Sequence, residues 1–271
     1  MRYFPPLDQP TRSKIRQTVK ASSNETEAHK NVAELCQKTD QLTPFSTEFT
    51  DQFAIVSQAG VDIHFPRGIP PIKFVLIAYN YVEWLKRKYS LPGFCEVEDG
   101  DIVFDCGAYV GGFSMAAASV AKAVYSFEPA PNNFQCIEKC VTQFPNIHAC
   151  AMGLGKQNET LELNLSRSSV EHSFLAPDRG GVAGRIEVDV RTIETFVSDN
   201  NLGSVDFLKI EAEGFEIEVF QGLGKVRPKK IAIDVSPERD LESPSEFFEK
   251  ELLALGYETQ RRGNVLFGVL A

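Results

Sequence analysis

The stretch DIVFDCGAYVGGFS, Asp101 to Ser114, decides the fold. An apolar run ends on Asp105, breaks at Gly107, and resumes after Gly111 and Gly112 in small, helix-tolerant residues. That order is strand, glycine turn, helix. Open α/β sheets hold ligands at such turns, beyond the carboxyl ends of their strands. Gly107 permits close backbone approach or a positive φ, and Gly111 or Gly112 opens the helix.

Outward from this turn the pattern repeats. AVYSFEP is a strand, and NNFQCIEKCVTQF a helix with Phe134, Ile137 and Val141 at helical spacing. IHACAMG is a strand; TLELNLS and RIEVDVRT alternate as strands around a Ser/Gly-rich loop. IETFVSDNN and FEIEVFQGL read as helices, with the strands VDFLKIEAE and KKIAIDVS after each. SPSEFFEKELLALG is a helix that Gly256 closes. YETQR and NVLFGVL are strands too closely spaced for a helical crossover, so they pair antiparallel. The expected fold is α/β: a doubly wound, mostly parallel seven-stranded sheet with a C-terminal antiparallel hairpin. Residues 91–271 form this domain. Residues 1–90 form an N-terminal extension: a polar arm to about residue 44, short strands from Phe45 to Phe65, and one helix over about Pro71 to Lys88. Trp84 on that helix is a core residue.

Composition narrows the function classes. Of the 271 residues, 43% are hydrophobic and 24% charged, enough to pack a sizeable core. A formal net charge of −9 argues against a nucleic-acid footprint and disfavours polyanionic substrates. The short run RPKK does not change this. No stretch approaches the ~20 apolar residues of a membrane span. The opening MRYFPPLDQPTRSK has no apolar signal core, and the six cysteines form no CxxC pair, so a cytoplasmic protein with reduced thiols is expected. The four histidines show no zinc-ligand spacing.

The ligand of the first turn follows from two carboxylates. Glu128 ends the next strand about 20 residues after Gly107, where a nucleoside site places the acid that takes ribose hydroxyls. A dinucleotide site needs G-x-G-x-x-G, yet Asp105 occupies the first glycine position, and an anion there repels pyrophosphate. No G-K-[ST] follows, which excludes a P-loop. A cationic nucleoside suits the turn, and S-adenosylmethionine carries both an ammonium and a sulfonium. The terminal hairpin points the same way, toward the Rossmann-like fold of class I methyltransferases.

The chain resembles the FkbM family of methyltransferases. VFDCGAYVGGFS, VYSFEPAPNNF and VDFLKIEAEGFEIEVFQG look like the family's three motifs, the last being the most diagnostic, and the resemblance covers roughly Leu91 to Ala271. It departs at Tyr109, where the family usually has Asn, and at Glu211-Ala212-Glu213-Gly214, where it usually has Asp-Val-Glu-Gly. The resemblance implies methylation of hydroxyl oxygens on sugars, polyketides or other small molecules. It places Asp105, Gly107, Ala108 and Tyr109 at the methionine end of the donor, beside the turn residue Gly111. It assigns Glu128 to the ribose, Pro129 beside it, and Ala151 and Met152 near the adenine.

An alcohol is a poor nucleophile, so a general base is sought near the ends of the fourth and fifth strands. Glu211 and Glu213 stand two apart, which on a strand puts both carboxylates on one side. Lys209 can pair with either. Asp234 ends the fifth strand, and with Glu211 it could hold Mg²⁺ or Ca²⁺, a lesser alternative. His172, in the loop SRSSVEHSFLAP, is a further base candidate on a segment able to cover the pocket. His148 reads as structural. Competing readings are an N- or carboxyl-methyltransferase and a catalytically silent S-adenosylmethionine-binding module. The polar arm would then serve partners or a homo-oligomer contact.

Overall fold

The computed structural model describes residues 7–166, 172–174, 182–239 and 241–271. Helices α1 (Gln9–Ala21) and α2 (Glu25–Gln37) begin at side-chain caps, Asp8 accepting from the Thr11 N–H and Asn24 from the Glu27 N–H. Three antiparallel strands follow: β1 (Ser46–Phe49), β2 (Phe53–Gln58) and β3 (Val61–Pro66). The single helix expected over 71–88 is two, α3 (Pro71–Tyr79) and α4 (Tyr81–Lys88). Asn80 breaks it with φ 107°, and its side chain caps α4 at the Glu83 N–H. Buried Gln58 takes up the broken ladder: its Nε2 donates to the Ile77 carbonyl at 2.6 Å and its Oε1 accepts from the Tyr81 N–H at 3.1 Å. A side chain 19 and 23 residues away therefore terminates one helix and starts the next, a contact no local pattern announces.

The second part runs β4 (Ile102–Cys106), α5 (Gly112–Ala118), β5 (Ala123–Phe127), α6 (Pro131–Val141), β6 (Ile147–Cys150), β7 (Gly153–Leu154), β8 (Glu159–Ser166), β9 (Val182–Arg191), α7 (Ile193–Asp199), β10 (Phe207–Ile210), α8 (Glu216–Gln221), β11 (Lys230–Asp234), α9 (Ser245–Ala254), β12 (Tyr257–Arg262) and β13 (Val265–Leu270). The expected sheet forms, with seven strands in the order β12-β13-β11-β10-β4-β5-β6. All pairs from β11 to β6 are parallel, and β13 runs antiparallel to both β11 and β12. The chain winds outward from β4 to β6 and returns to β10, so the β4/β10 boundary is the topological switch point. β7, β9 and β8 form a separate small sheet.

Strand residues alternate between two cores. Val103, Phe207 and Ala232 face a cluster shared with α5, α6 and the N-terminal elements. Phe104, Leu208, Ile231 and Ile233 face a cluster with α7, α8 and α9. Residues 7–90 are thus packed against one face of the sheet through continuous apolar contact. Trp84 is buried, as expected. On α6 the buried stripe is Asn133, Cys136, Ile137 and Cys140, rotated from the expected Phe134–Ile137–Val141 line. Small thiols let this helix approach the turn: a Cβ on Gly111 would lie 3.0 Å from the Cys140 Sγ.

Candidate active site

The glycine turn closes on the end of β10. Gly107 has φ 70°, and a Cβ there would sit 1.7 Å from the Glu211 carbonyl oxygen. Only glycine fits, and its absence of side chain brings the ends of β4 and β10 into contact. The N–H groups of Gly107 and Ala108 donate to the Phe127 carbonyl at 3.1 and 3.0 Å. Gly111, φ 79°, caps α5. Tyr109 adopts φ 54°, a left-handed conformation that Asn reaches more readily than Tyr.

This turn aims Glu128. Its Oε2 accepts from the Tyr109 N–H and its Oε1 from the Ala130 N–H, both at 2.9 Å. Burial pushes its carboxyl up to about 7, against those two bonds. Glu128, Pro129, Gly107 and Tyr109 line a cleft that opens to solvent. A carboxylate oriented in this way at a cleft wall fits a ribose diol. Phe127, Asn133 and Leu154 supply further wall. The cleft also reaches Lys73, Glu211 and Glu213.

Asp105 is not in the cleft wall. It is fully buried, register partner of Lys209 across the parallel β4/β10 pair, with Oδ1 2.9 Å from Nζ and Oδ2 accepting from the Ser114 hydroxyl at 2.6 Å. Lys209 also donates to the Cys106 and Gly107 carbonyls at 3.0 and 2.7 Å. Asp105 therefore reaches the turn through Lys209 instead of presenting its own charge. Ala108 is buried behind the turn. Ala151 and Met152 lie outside the cleft wall, which takes the next two residues, Gly153 and Leu154, instead.

The acidic end is organised by lysines. Lys88, the last residue of α4, places Nζ 2.5 Å from Glu211 Oε1 and 2.8 Å from Asp234 Oδ2. The ammonium sits where a cation shared by Glu211 and Asp234 would sit; among the described residues no cluster of acids, histidines and cysteines is arranged for a metal. Asp234 is 4% exposed, caps the Ser236 N–H at 2.8 Å and does not line the cleft. Burial raises the Glu211 carboxyl, but Lys88 and Lys209 outweigh it and hold the group well below the usual range. A carboxylate so held is a weak base.

Glu213 is different. β10 ends at Ile210, so strand alternation does not relate Glu211 to Glu213; Glu213 enters the cleft from a turn, with φ 48°. Buried Glu216 fixes this turn by accepting from the Ala212 and Gly214 N–H groups at 2.7 and 3.2 Å. Burial, then the charges of Glu211 and Glu216, push the Glu213 carboxyl up to about 8, with Lys73 opposing.

His172 also lines the cleft. Its Nδ1 accepts from the Ser166 N–H at 3.0 Å, and burial lowers its basicity. The neutral ring then carries its proton on Nε2, a donor and not a base while that bond stands. Ser173 ties the same segment to the Glu213 carbonyl at 2.8 Å. The rest of the loop expected to cover the pocket lies outside the described residues. His148, on β6, stacks on Tyr125 at 4.7 Å.

Sequence reasoning missed Lys73 and Lys88, which come from helices in the N-terminal 90 residues and carry no local signature. Only the resumption of an apolar helix immediately before the domain hinted that this segment packs on the sheet.

The curated protein Methyltransferase 1 of Beauveria bassiana (strain ARSEF 2860) is 25% identical over 147 residues, covering 46% of this chain and 59% of that protein. Among solved structures, the methyltransferase FkbM from Methylobacillus flagellatus KT matches with TM-score 0.48 and 13% identity, over 96% of this chain and 58% of that one. M. jannaschii TYW2 in complex with AdoMet matches with TM-score 0.42 and 11% identity, over 84% of this chain and 91% of that one. The chain thus spans somewhat over half the length of the first two. The family model of the methyltransferase FkbM domain matches residues 105–259, from the buried aspartate of the turn to the terminal hairpin, and the chain belongs to that family.

Proposed function

We propose that this chain is an S-adenosylmethionine-dependent O-methyltransferase whose acceptor is a hydroxyl of a small molecule or glycan. The observation that carries the reading is Glu128, whose two oxygens are fixed by backbone N–H groups at the wall of a cleft that continues to Glu213. When bound, the donor supplies an activated methyl group for in-line transfer. The protein supplies the rest. Glu128 accepts from the ribose hydroxyls. Gly107 admits the ligand against bare backbone. Glu213, with basicity matched to a neutral or mildly alkaline medium, takes the acceptor's hydroxyl proton. His172 offers an Nε2–H donor from the cleft wall. Glu211, paired with Lys88, lines the cleft, and Asp234 anchors the same ammonium from behind the wall. Residues 91–271 form the catalytic domain, with the first 90 contributing Lys73 and Lys88. Six free cysteines, five of them buried, suit a reducing cytoplasmic setting.

Calorimetric titration with S-adenosylmethionine, S-adenosylhomocysteine and NAD, on wild type and Glu128→Ala, tests this. Binding of the two sulfur nucleosides, lost in the variant, is the expected result. Binding of NAD alone, or of none of the three, overturns it.

A further inference from the structure

Among the described residues four lysines are buried or half-buried, and all but one are paired. Lys88 holds Glu211 and Asp234; Lys209 holds Asp105 and lies 3.6 Å from Glu211; Lys230 holds Glu98 and Asp101. Lys73, on α3, lines the cleft and makes no hydrogen bond or ion pair with any described residue. Its ammonium lies over two aromatic faces, 4.7 Å from the Tyr109 ring centroid and 5.9 Å from that of Tyr81. A π-face attracts a cation but is a weak hydrogen-bond acceptor, so it leaves most of the ammonium's donor capacity unused. Burial lowers the amine to about 8, with Lys88 and Lys209 repelling it and Glu211 and Glu213 opposing that repulsion. A partly desolvated ammonium with unused donors, facing a ligand cleft, is built to receive an anion.

The position says which anion. Tyr109 gives its N–H to Glu128 and its ring to Lys73. One residue therefore lies between the ribose-accepting carboxylate and the free ammonium. In S-adenosylmethionine the atoms C5′, S, Cγ, Cβ and Cα lead from the ribose to a carboxylate. We propose that Lys73 binds the α-carboxylate of the donor's methionyl group, with Tyr109 as the platform that holds the ammonium in place. This rests on the donor reading above and adds to it a residue outside the 105–259 segment that defines the family. It also gives the tyrosine at the turn a purpose: an aromatic ring there seats a cation delivered by the N-terminal helices.

The test uses S-adenosylhomocysteine and its decarboxylated analogue, S-adenosyl-3-thiopropylamine, which differ in the carboxylate alone. Both are titrated by calorimetry into the full chain, wild type, Lys73→Met and Lys73→Arg. Lys73→Met should weaken S-adenosylhomocysteine binding by about 10–100-fold, the loss of a charge-assisted contact. It should leave the analogue within about two-fold, which also reports that the variant is folded. Lys73→Arg should restore most of the loss. Equal effects on both ligands, or no effect on either, would overturn the assignment while leaving the donor site standing. Failure of the wild type to bind either nucleoside would overturn the donor reading, and this inference with it.

Discussion

Lys88 Nζ lies 2.5 Å from Glu211 Oε1, joining the last residue of α4 to the first residue beyond β10, 123 positions later in the chain. The same ammonium neutralises Asp234 at 2.8 Å. Lys88→Met would leave two neighbouring carboxylates without their cation. Breaking a buried pair from one side costs about 3 kcal/mol or more. Urea unfolding should show that loss, with Glu211→Gln costing less because Lys88 keeps Asp234. Glu211, held below its ordinary 4.5, adds stability above that value and loses it as pH falls toward its depressed folded value. The stability deficit of Lys88→Met should therefore be full above pH 4.5 and shrink as pH falls; a deficit independent of pH would contradict the role given to this pair.

The role proposed for Glu128 predicts pH-dependent donor binding. In the proposed role ribose hydroxyls donate to the ionised carboxylate, and burial holds that group at about 7. Affinity for S-adenosylhomocysteine should rise as pH increases from 6 to 8, with proton release on binding. Glu128→Gln should weaken binding about ten-fold or more at pH 8 and flatten the dependence. Calorimetry in buffers of differing ionisation enthalpy reads both effects.

Glu213→Gln separates chemistry from binding. Turnover should fall by about 10²–10⁴-fold, while S-adenosylhomocysteine affinity changes little. Stability should move oppositely. Glu213 is raised from 4.5 to about 8, so its contribution is full below pH 4.5 and is lost as pH rises through 8. The melting temperature of the variant should gain on wild type between pH 6 and 9, by an amount corresponding to about 1–2 kcal/mol. Equal turnover in wild type and variant would remove Glu213 as the base.

Gly107→Ala should not be tolerated. The added carbon meets the Glu211 carbonyl at 1.7 Å, and φ 70° is itself unfavourable for alanine. The ends of β4 and β10 must separate, so we expect about 3 kcal/mol or more of destabilisation and loss of nucleoside binding. Gly60, also at positive φ but with open space around it, is the control: Gly60→Ala should cost only about 1 kcal/mol. Thermal melts of the two variants make the comparison.

The order of strands and helices, the terminal hairpin and the turn between Asp105 and Gly111 were legible in the sequence. Each rests on local causes: apolar periodicity, glycine at a forced φ, and loops too short for a crossover. Glu128 was legible too, because its place at the end of the second strand is fixed along the chain. Partnership was not. Asp105 and Lys209 meet only because β4 and β10, distant in sequence, are parallel neighbours, and that contact turns an apparent ligand group into a buried ion pair. Glu211 and Glu213 look alike in sequence, yet Lys88 makes one a weak base while acidic neighbours make the other a stronger one. Lys73 and Lys88 enter the site because Gln58 and Asn80 break one helix into two and the resulting pair packs on the sheet. The sequence determined which groups stand at the strand ends. Tertiary structure alone decided their charge, because the energy of a buried charge depends on neighbours that the chain brings together only on folding.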